Sequence, residues 1–92
     1  MSPSTRRTKM EIIYDMLGSI RAKGGSIKPT HLMYKSNLSH KKMMEYVNEL
    51  LEKTLITETE TKEGKNYAIT EAGDEFMAEY NKLKKFIDAF GF

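Results

Sequence analysis

His31 and His40, Glu58 and Glu60, and the tetrapeptide Lys62-Glu63-Gly64-Lys65 are where this sequence could hold chemistry. The two histidines fall on different elements and meet no acid or cysteine at ligand spacing, so no metal site is expected and His31 reads as a surface residue. The glutamates alternate along a strand pattern with nothing to bury them, which gives no perturbed acid or base for proton transfer. One glycine does not make a phosphate-cradling loop, and no serine, histidine and aspartate are arranged to activate one another. Neither enzyme activity nor a cofactor is expected. What remains is a set of cations and potential cations in an unfavourable place. His40, Lys41 and Lys42 follow the N-cap residue Ser39, at the positive end of a helix dipole. Each charge there costs roughly 0.3–1 kcal/mol compared with an acid. Local rules broken in this way tend to mark a functional surface.

The charge distribution along the chain points the same way. The formal net charge is +2 over 92 residues, yet residues 1–44 carry +7 and residues 45–92 carry −5. A basic half of this kind suits a polyanion or is a solvated face. The size is that of one domain with a single core. No run of about 18 apolar residues is present to span a membrane. The basic residues near the start are not followed by an apolar segment, so no signal peptide is expected. Cysteine is absent, which excludes disulfides and thiol chemistry and fits a reducing compartment; a cytoplasmic location is expected.

Five elements must position these cations. Thr8 and Glu11 have capping-box spacing, and Ile12, Ile13, Met16, Leu17 and Ile20 recur at helical period up to Gly24-Gly25. A short extended bridge, Ser26 to Pro29, leads into a second helix, "PTHLMYKS", that ends at Asn37, a residue tolerant of left-handed geometry. The third helix runs from His40 to about Lys53. Its inner stripe is Met43, Val47, Leu50 and Leu51 with Tyr46 beside it, and Lys41, Lys42, Glu45, Asn48 and Glu52 lie outward. "LITETETKEGKNYAIT" reads as a β-hairpin with a charged tip, in which Gly64 supplies a positive φ. The last segment, 71–92, reads as one long helix with acids at its start and lysines toward its end, as the dipole prefers.

Helix, bridge, helix, tight turn, helix and hairpin is the order of a winged helix-turn-helix, an α+β fold that is mostly helical. The helix after the tight turn would present Ser39, His40, Lys41, Lys42, Glu45 and Asn48 to a DNA major groove. Arg6, Arg7, Lys9 and Lys35, with Lys62 and Lys65 on the wing, would reach the phosphate backbone. Met44 sits beside this face, either to touch a thymine methyl or to flank the core; Tyr34 is open between packing and a phosphate hydrogen bond. The expected layout is a flexible basic arm (1–7), a winged-helix domain (8–70) and a C-terminal coiled-coil-like helix (71–92). In that helix Phe76, Tyr80, Leu83, Ile87 and Phe90 recur at the heptad spacing of a homodimer seam. Met77, Phe86 and Phe92 add apolar surface outside the seam.

The residues also carry a family resemblance. Met33-Tyr34-Lys35, Ser36, Asn37-Leu38-Ser39, Tyr46-Val47, Thr54-Leu55-Ile56, and Tyr67-Ala68-Ile69-Thr70 with Gly73 occur in order across most of residues 9–80. This series resembles the archaeal winged-helix family related to the small chromosomal DNA-binding proteins of archaea. The resemblance implies double-stranded DNA binding by a nucleoid-associated homodimer, as transcriptional regulator or chromosomal protein, with no small-molecule effector evident. Thr54 stands where that family usually has glycine, so a different helix cap is expected there. Glu58, Glu60 and Glu63 make the wing a weak grip on phosphate. The competing reading is a winged-helix module that binds proteins rather than DNA.

Overall fold

A computed structural model describes residues 7–91. The elements are α1 (Lys9–Ala22), β1 (Ser26–Ile27), α2 (Pro29–Ser36), α3 (His40–Glu52), β2 (Ile56–Thr61), β3 (Gly64–Ile69) and α4 (Glu71–Ala89). The strands form one antiparallel sheet in the order β1-β3-β2. The bridge between the first two helices is thus more than extended chain. Ser26 pairs with Ala68 and Ile27 with Tyr67, so β1 clamps the hairpin to the helical body. The chain is a winged helix-turn-helix with a long C-terminal helix, the α+β class expected.

Helix α1 is the hub. Ile13, Met16, Leu17 and Ile20 on one face are buried, and they meet Leu32 of α2, Met43, Val47 and Leu50 of α3, and Ile27, Ile56 and Tyr67 of the sheet. A capping box starts it: the Thr8 hydroxyl accepts from the Glu11 amide while the Thr8 amide donates to the Glu11 carboxylate at 2.8 Å. The two backbone N–H groups satisfied here would otherwise be orphans of the first turn. Ser39 caps α3 in the expected way, accepting from the Lys42 amide at 3.2 Å.

The end of α3 corrects one expectation. Thr54 does not bring a different cap: it adopts the left-handed conformation itself, with φ of 58°. The Leu55 amide donates to the Leu50 carbonyl at 2.9 Å and the Thr54 amide to the Leu51 carbonyl at 3.1 Å, the hydrogen-bond pair of a Schellman motif. The motif therefore forms with a β-branched residue where glycine is the usual choice. Its Thr54 carbonyl accepts from the Thr70 hydroxyl at 2.7 Å, and the same hydroxyl accepts from the Gly73 amide to cap α4. Gly73 is required by closeness. A Cβ built there would lie 2.4 Å from the Leu55 carbonyl oxygen and 2.6 Å from Ile69, so α4 could not approach the sheet.

Helix α4 divides along its length. Its first half lies on α1: Met77 is buried, Phe76 packs on the core, and the Tyr80 ring lies 4.9 Å from that of Tyr14. Beyond Tyr80 every described residue is exposed.

Candidate nucleic-acid interface

The turn Asn37–Ser39 sets the direction of α3. Asn37 takes a left-handed φ of 57°, which reverses the chain in one residue, and the Leu38 amide closes the turn on the Met33 carbonyl at 3.2 Å. Leu38 is half-buried against the core. With Met43, Val47 and Leu50 fixed inward, the opposite face of α3 must look outward, and Ser39, His40, Lys41, Lys42, Glu45 and Asn48 are all exposed there. All six residues nominated from sequence are thus exposed, with Lys41, Glu45 and Asn48 most directly opposite the buried stripe. Among the six, the Lys42 ammonium lies 3.5 Å from the Glu45 carboxylate, whereas Lys41 forms no ion pair among the described residues.

Beside this face runs an open groove of about 420 Å³ between the start of α2, the start of α3 and the wing. His40, Met44, Lys28, Thr30, Lys65 and Tyr67 help line it. Met44 is half-buried, and the Tyr67 hydroxyl lies 3.9 Å from its sulfur, so this methionine flanks the core. Burial of Tyr67 pushes its phenol above the ordinary value, leaving it a neutral hydrogen-bonding group at the groove floor. Lys28 and Thr30 are additions to the residues nominated from sequence. Pro29 marks this helix start, but only the tertiary fold places it next to His40.

The remaining cations are distributed less freely than the sequence suggests. Arg6 lies outside the described residues. Arg7 is bound within the fold, to Asp15 at 2.8 Å and to the Ser36 carbonyl at 2.6 Å. Lys9 pairs with Glu49 of α3 at 2.8 Å; the hydrogen bond between them raises the Lys9 ammonium and lowers the Glu49 carboxyl from their ordinary values. Lys35 and Lys62 are exposed and form no ion pair among the described residues. On the wing, Lys65 is matched by Glu58 at 2.7 Å, and Lys28 by Glu63 at 3.4 Å. Its Glu58 hydrogen bond raises the Lys65 ammonium above the ordinary value. The wing therefore offers Lys62 as its one cation without a carboxylate partner among the described residues. Tyr34 is 72% exposed beside this turn, on the solvent side rather than in the packing.

The nominated seam on α4 separates into two parts. Phe76 and Tyr80 face their own domain, with rings stacked 6.3 Å apart, while Leu83, Ile87 and Phe90 are exposed together with Phe86. Met10 at the start of α1 is 42% exposed and lines the same surface as Leu83 and Tyr80. Phe92 lies outside the described residues. Among these residues no helix is long and apolar enough to cross a membrane, and no cluster of His, Cys, Asp or Glu could hold a metal ion.

Comparison with known proteins gives the same architecture. The fold is similar to that of Sso10a-2, a DNA-binding protein from Sulfolobus solfataricus: TM-score 0.79, 20% identity, 91% of this chain and 85% of that one. It is similar to F93 from STIV, a winged-helix DNA-binding protein, with TM-score 0.77, 18% identity, and 88% and 95% coverage. A MarR family transcriptional regulator from Silicibacter pomeroyi matches with TM-score 0.75 and 18% identity over 88% of this chain, which spans 56% of that regulator. At these identities the likeness is one of fold. No curated protein sequence matches the chain at a significant level. The winged helix-turn-helix family model matches residues 6–88. That match, over most of the chain, establishes that this chain belongs to the winged helix-turn-helix family.

Proposed function

We propose that the protein binds double-stranded DNA as a homodimer, laying the outward face of α3 in the major groove, as a transcriptional regulator or chromosomal protein of the nucleoid. The observation that carries this reading is the first turn of α3. Lys41 and Lys42 stand exposed on the side opposite the buried stripe, at a helix end where the dipole already favours anions. Phosphate or a guanine edge turns that unfavourable placement into a binding surface. Ser39 and Lys35 flank the turn, and Glu45 and Asn48 lie one and two turns further along α3. Lys62 is the wing's one cation without a carboxylate partner among the described residues, so the wing adds little to affinity. Sso10a-2 and F93, which share the fold, are DNA-binding proteins.

The dimer follows from α4. Leu83, Phe86, Ile87 and Phe90 form an exposed apolar strip continuous with Met10, and a second copy of the same strip is its natural cover. Two recognition helices on one dimer would then read half-sites about one helical turn apart.

Fluorescence anisotropy with a random-sequence duplex over a salt series tests the DNA reading. Log affinity should fall linearly with log salt, and the pair Lys41→Ala and Lys42→Ala should reduce the slope by roughly 0.9 for each phosphate that the variant no longer neutralises. Unchanged affinity in that variant would remove α3 as the DNA-facing surface. No binding at low salt would favour a protein partner for the domain, with the acidic wing residues Glu58, Glu60 and Glu63 as the surface to test.

A further inference from the structure

Resting on the DNA reading above, we propose that Arg7 is a positioning residue that braces the turn between α2 and α3, and that it is not a phosphate contact. Its guanidinium joins three parts of the chain. Nη1 donates to the Asp15 carboxylate at 2.8 Å, and Nη2 donates to the Ser36 carbonyl at 2.6 Å and more weakly to the Asn37 carbonyl at 3.4 Å. Ser36 and Asn37 end α2, where the last carbonyls lack helical partners and the dipole favours a cation. A planar guanidinium spans a carboxylate and two carbonyls at once, which a lysine ammonium does far less well. Asp15 sits mid-way along α1, whose inner face is fixed in the core, so the brace refers the turn to the helix at the centre of the core.

Neighbouring residues hold the brace in place. Thr8, next in sequence, is tied to Glu11 by the capping box, and Lys9 pairs with Glu49 of α3 at 2.8 Å. The segment Arg7–Lys9 therefore fastens α1 to the end of α2 and the far half of α3. It controls where Ser39 to Lys42 are aimed without approaching that face. Nη2 could meet a phosphate only by giving up its bond to the Ser36 carbonyl, and an anion beside Nη1 would compete with Asp15.

Five forms of the protein test this: wild type, Arg7→Ala, Arg7→Lys, Asp15→Asn and the double variant Arg7→Ala with Asp15→Asn. Duplex affinity is measured by anisotropy, and amide hydrogen exchange is measured without DNA. A brace predicts that all three single variants bind about tenfold more weakly, and that the double variant is no worse than either Arg7→Ala or Asp15→Asn alone. Exchange at Leu38 and Asn37 should rise about tenfold while Leu17 in the core keeps its protection. The Asp15→Asn arm is the sharpest, because removing a negative charge should tighten binding by simple electrostatics. Tighter or unchanged binding by Asp15→Asn, or full retention by Arg7→Lys, would overturn the brace and make Arg7 a charge contact. An equal fall in protection at Leu17 and Leu38 would also overturn it, as a general stability effect. If the wild type binds no duplex, the DNA reading falls, and the exchange data still decide whether Arg7 holds the turn.

Discussion

The division of α4 gives a prediction that separates folding from assembly. By spacing, Phe76, Tyr80, Leu83, Ile87 and Phe90 are one seam, but only the last three are exposed, at 55% for Leu83, 37% for Ile87 and 65% for Phe90. Full burial of a Leu or Phe side chain is worth about 1.5–3 kcal/mol. Scaled by exposure, covering Leu83 and Phe90 would contribute about 3 kcal/mol per protomer beyond alanine. A twofold interface counts each residue twice, giving about 6 kcal/mol as an upper bound and about 3 kcal/mol if half the exposed surface is covered. At about 1.4 kcal/mol per factor of ten, Leu83→Ala with Phe90→Ala should weaken the dimer at least a hundredfold. Phe76→Ala should instead lower thermal stability by about 1–2 kcal/mol, because Phe76 packs on its own core, and should move the dimer constant much less. Sedimentation equilibrium from about 1 to 100 μM reads the association constants, and thermal melts of the same samples read stability. A wild-type monomer across that range would refute the reasoning. So would a Leu83/Phe90 variant that dimerises like wild type, or Phe76→Ala as the stronger dimer breaker.

Two further outcomes follow from the caps and ion pairs. Thr54→Gly should stabilise the domain by about 0.5–1 kcal/mol, since a side chain in left-handed backbone costs about 1–2 kcal/mol and the added chain entropy of glycine offsets part of that. A rise of about 4 °C in melting temperature checks it; a fall would mean that the Thr54 hydroxyl, bonded to the Lys53 carbonyl at 2.6 Å, matters more than the strain. Glu49 should titrate below the ordinary glutamate range, because the Lys9 hydrogen bond favours its charged form. A depressed folded value contributes stability above the unfolded value and loses it as pH falls through the folded one. Solvent screens this exposed pair, so the contribution is small. Carboxyl NMR of Glu49 should show its midpoint move up in Lys9→Ala, and an unmoved midpoint would remove Lys9 as the cause.

The local devices are readable because each depends on residues a few positions apart. Thr8 with Glu11, Ser39 before His40, Asn37 at a reversal and the inward period of Met43, Val47 and Leu50 are set by hydrogen-bond reach and helix geometry. Lys41 and Lys42 can be placed outward for the same reason: once one face of α3 is apolar, the opposite face is fixed. Thr54 departs from expectation for a physical reason. A β-branched residue ordinarily avoids the left-handed cap, but here the Schellman bonds and the Thr70 hydroxyl hold it there.

The partners of the charges are not readable in the same way, because ion pairs join residues far apart in sequence. Arg7 and Lys9 look like free phosphate contacts until the fold brings Ser36, 29 positions on, and Glu49 against them. Heptad spacing likewise shows that α4 has an apolar stripe, but not where one domain stops covering it; Tyr14 and the core decide that at Tyr80. Sequence alone determined the four helices and the hairpin, most of their caps and the outward placement of Lys41 and Lys42, since those obey rules within one turn or one strand, whereas the pairing of β1 with β3 did not. Tertiary structure decided which cations are already paired, which half of the last helix stays exposed, and what Arg7 bonds at the turn before α3, since each depends on distances across the fold.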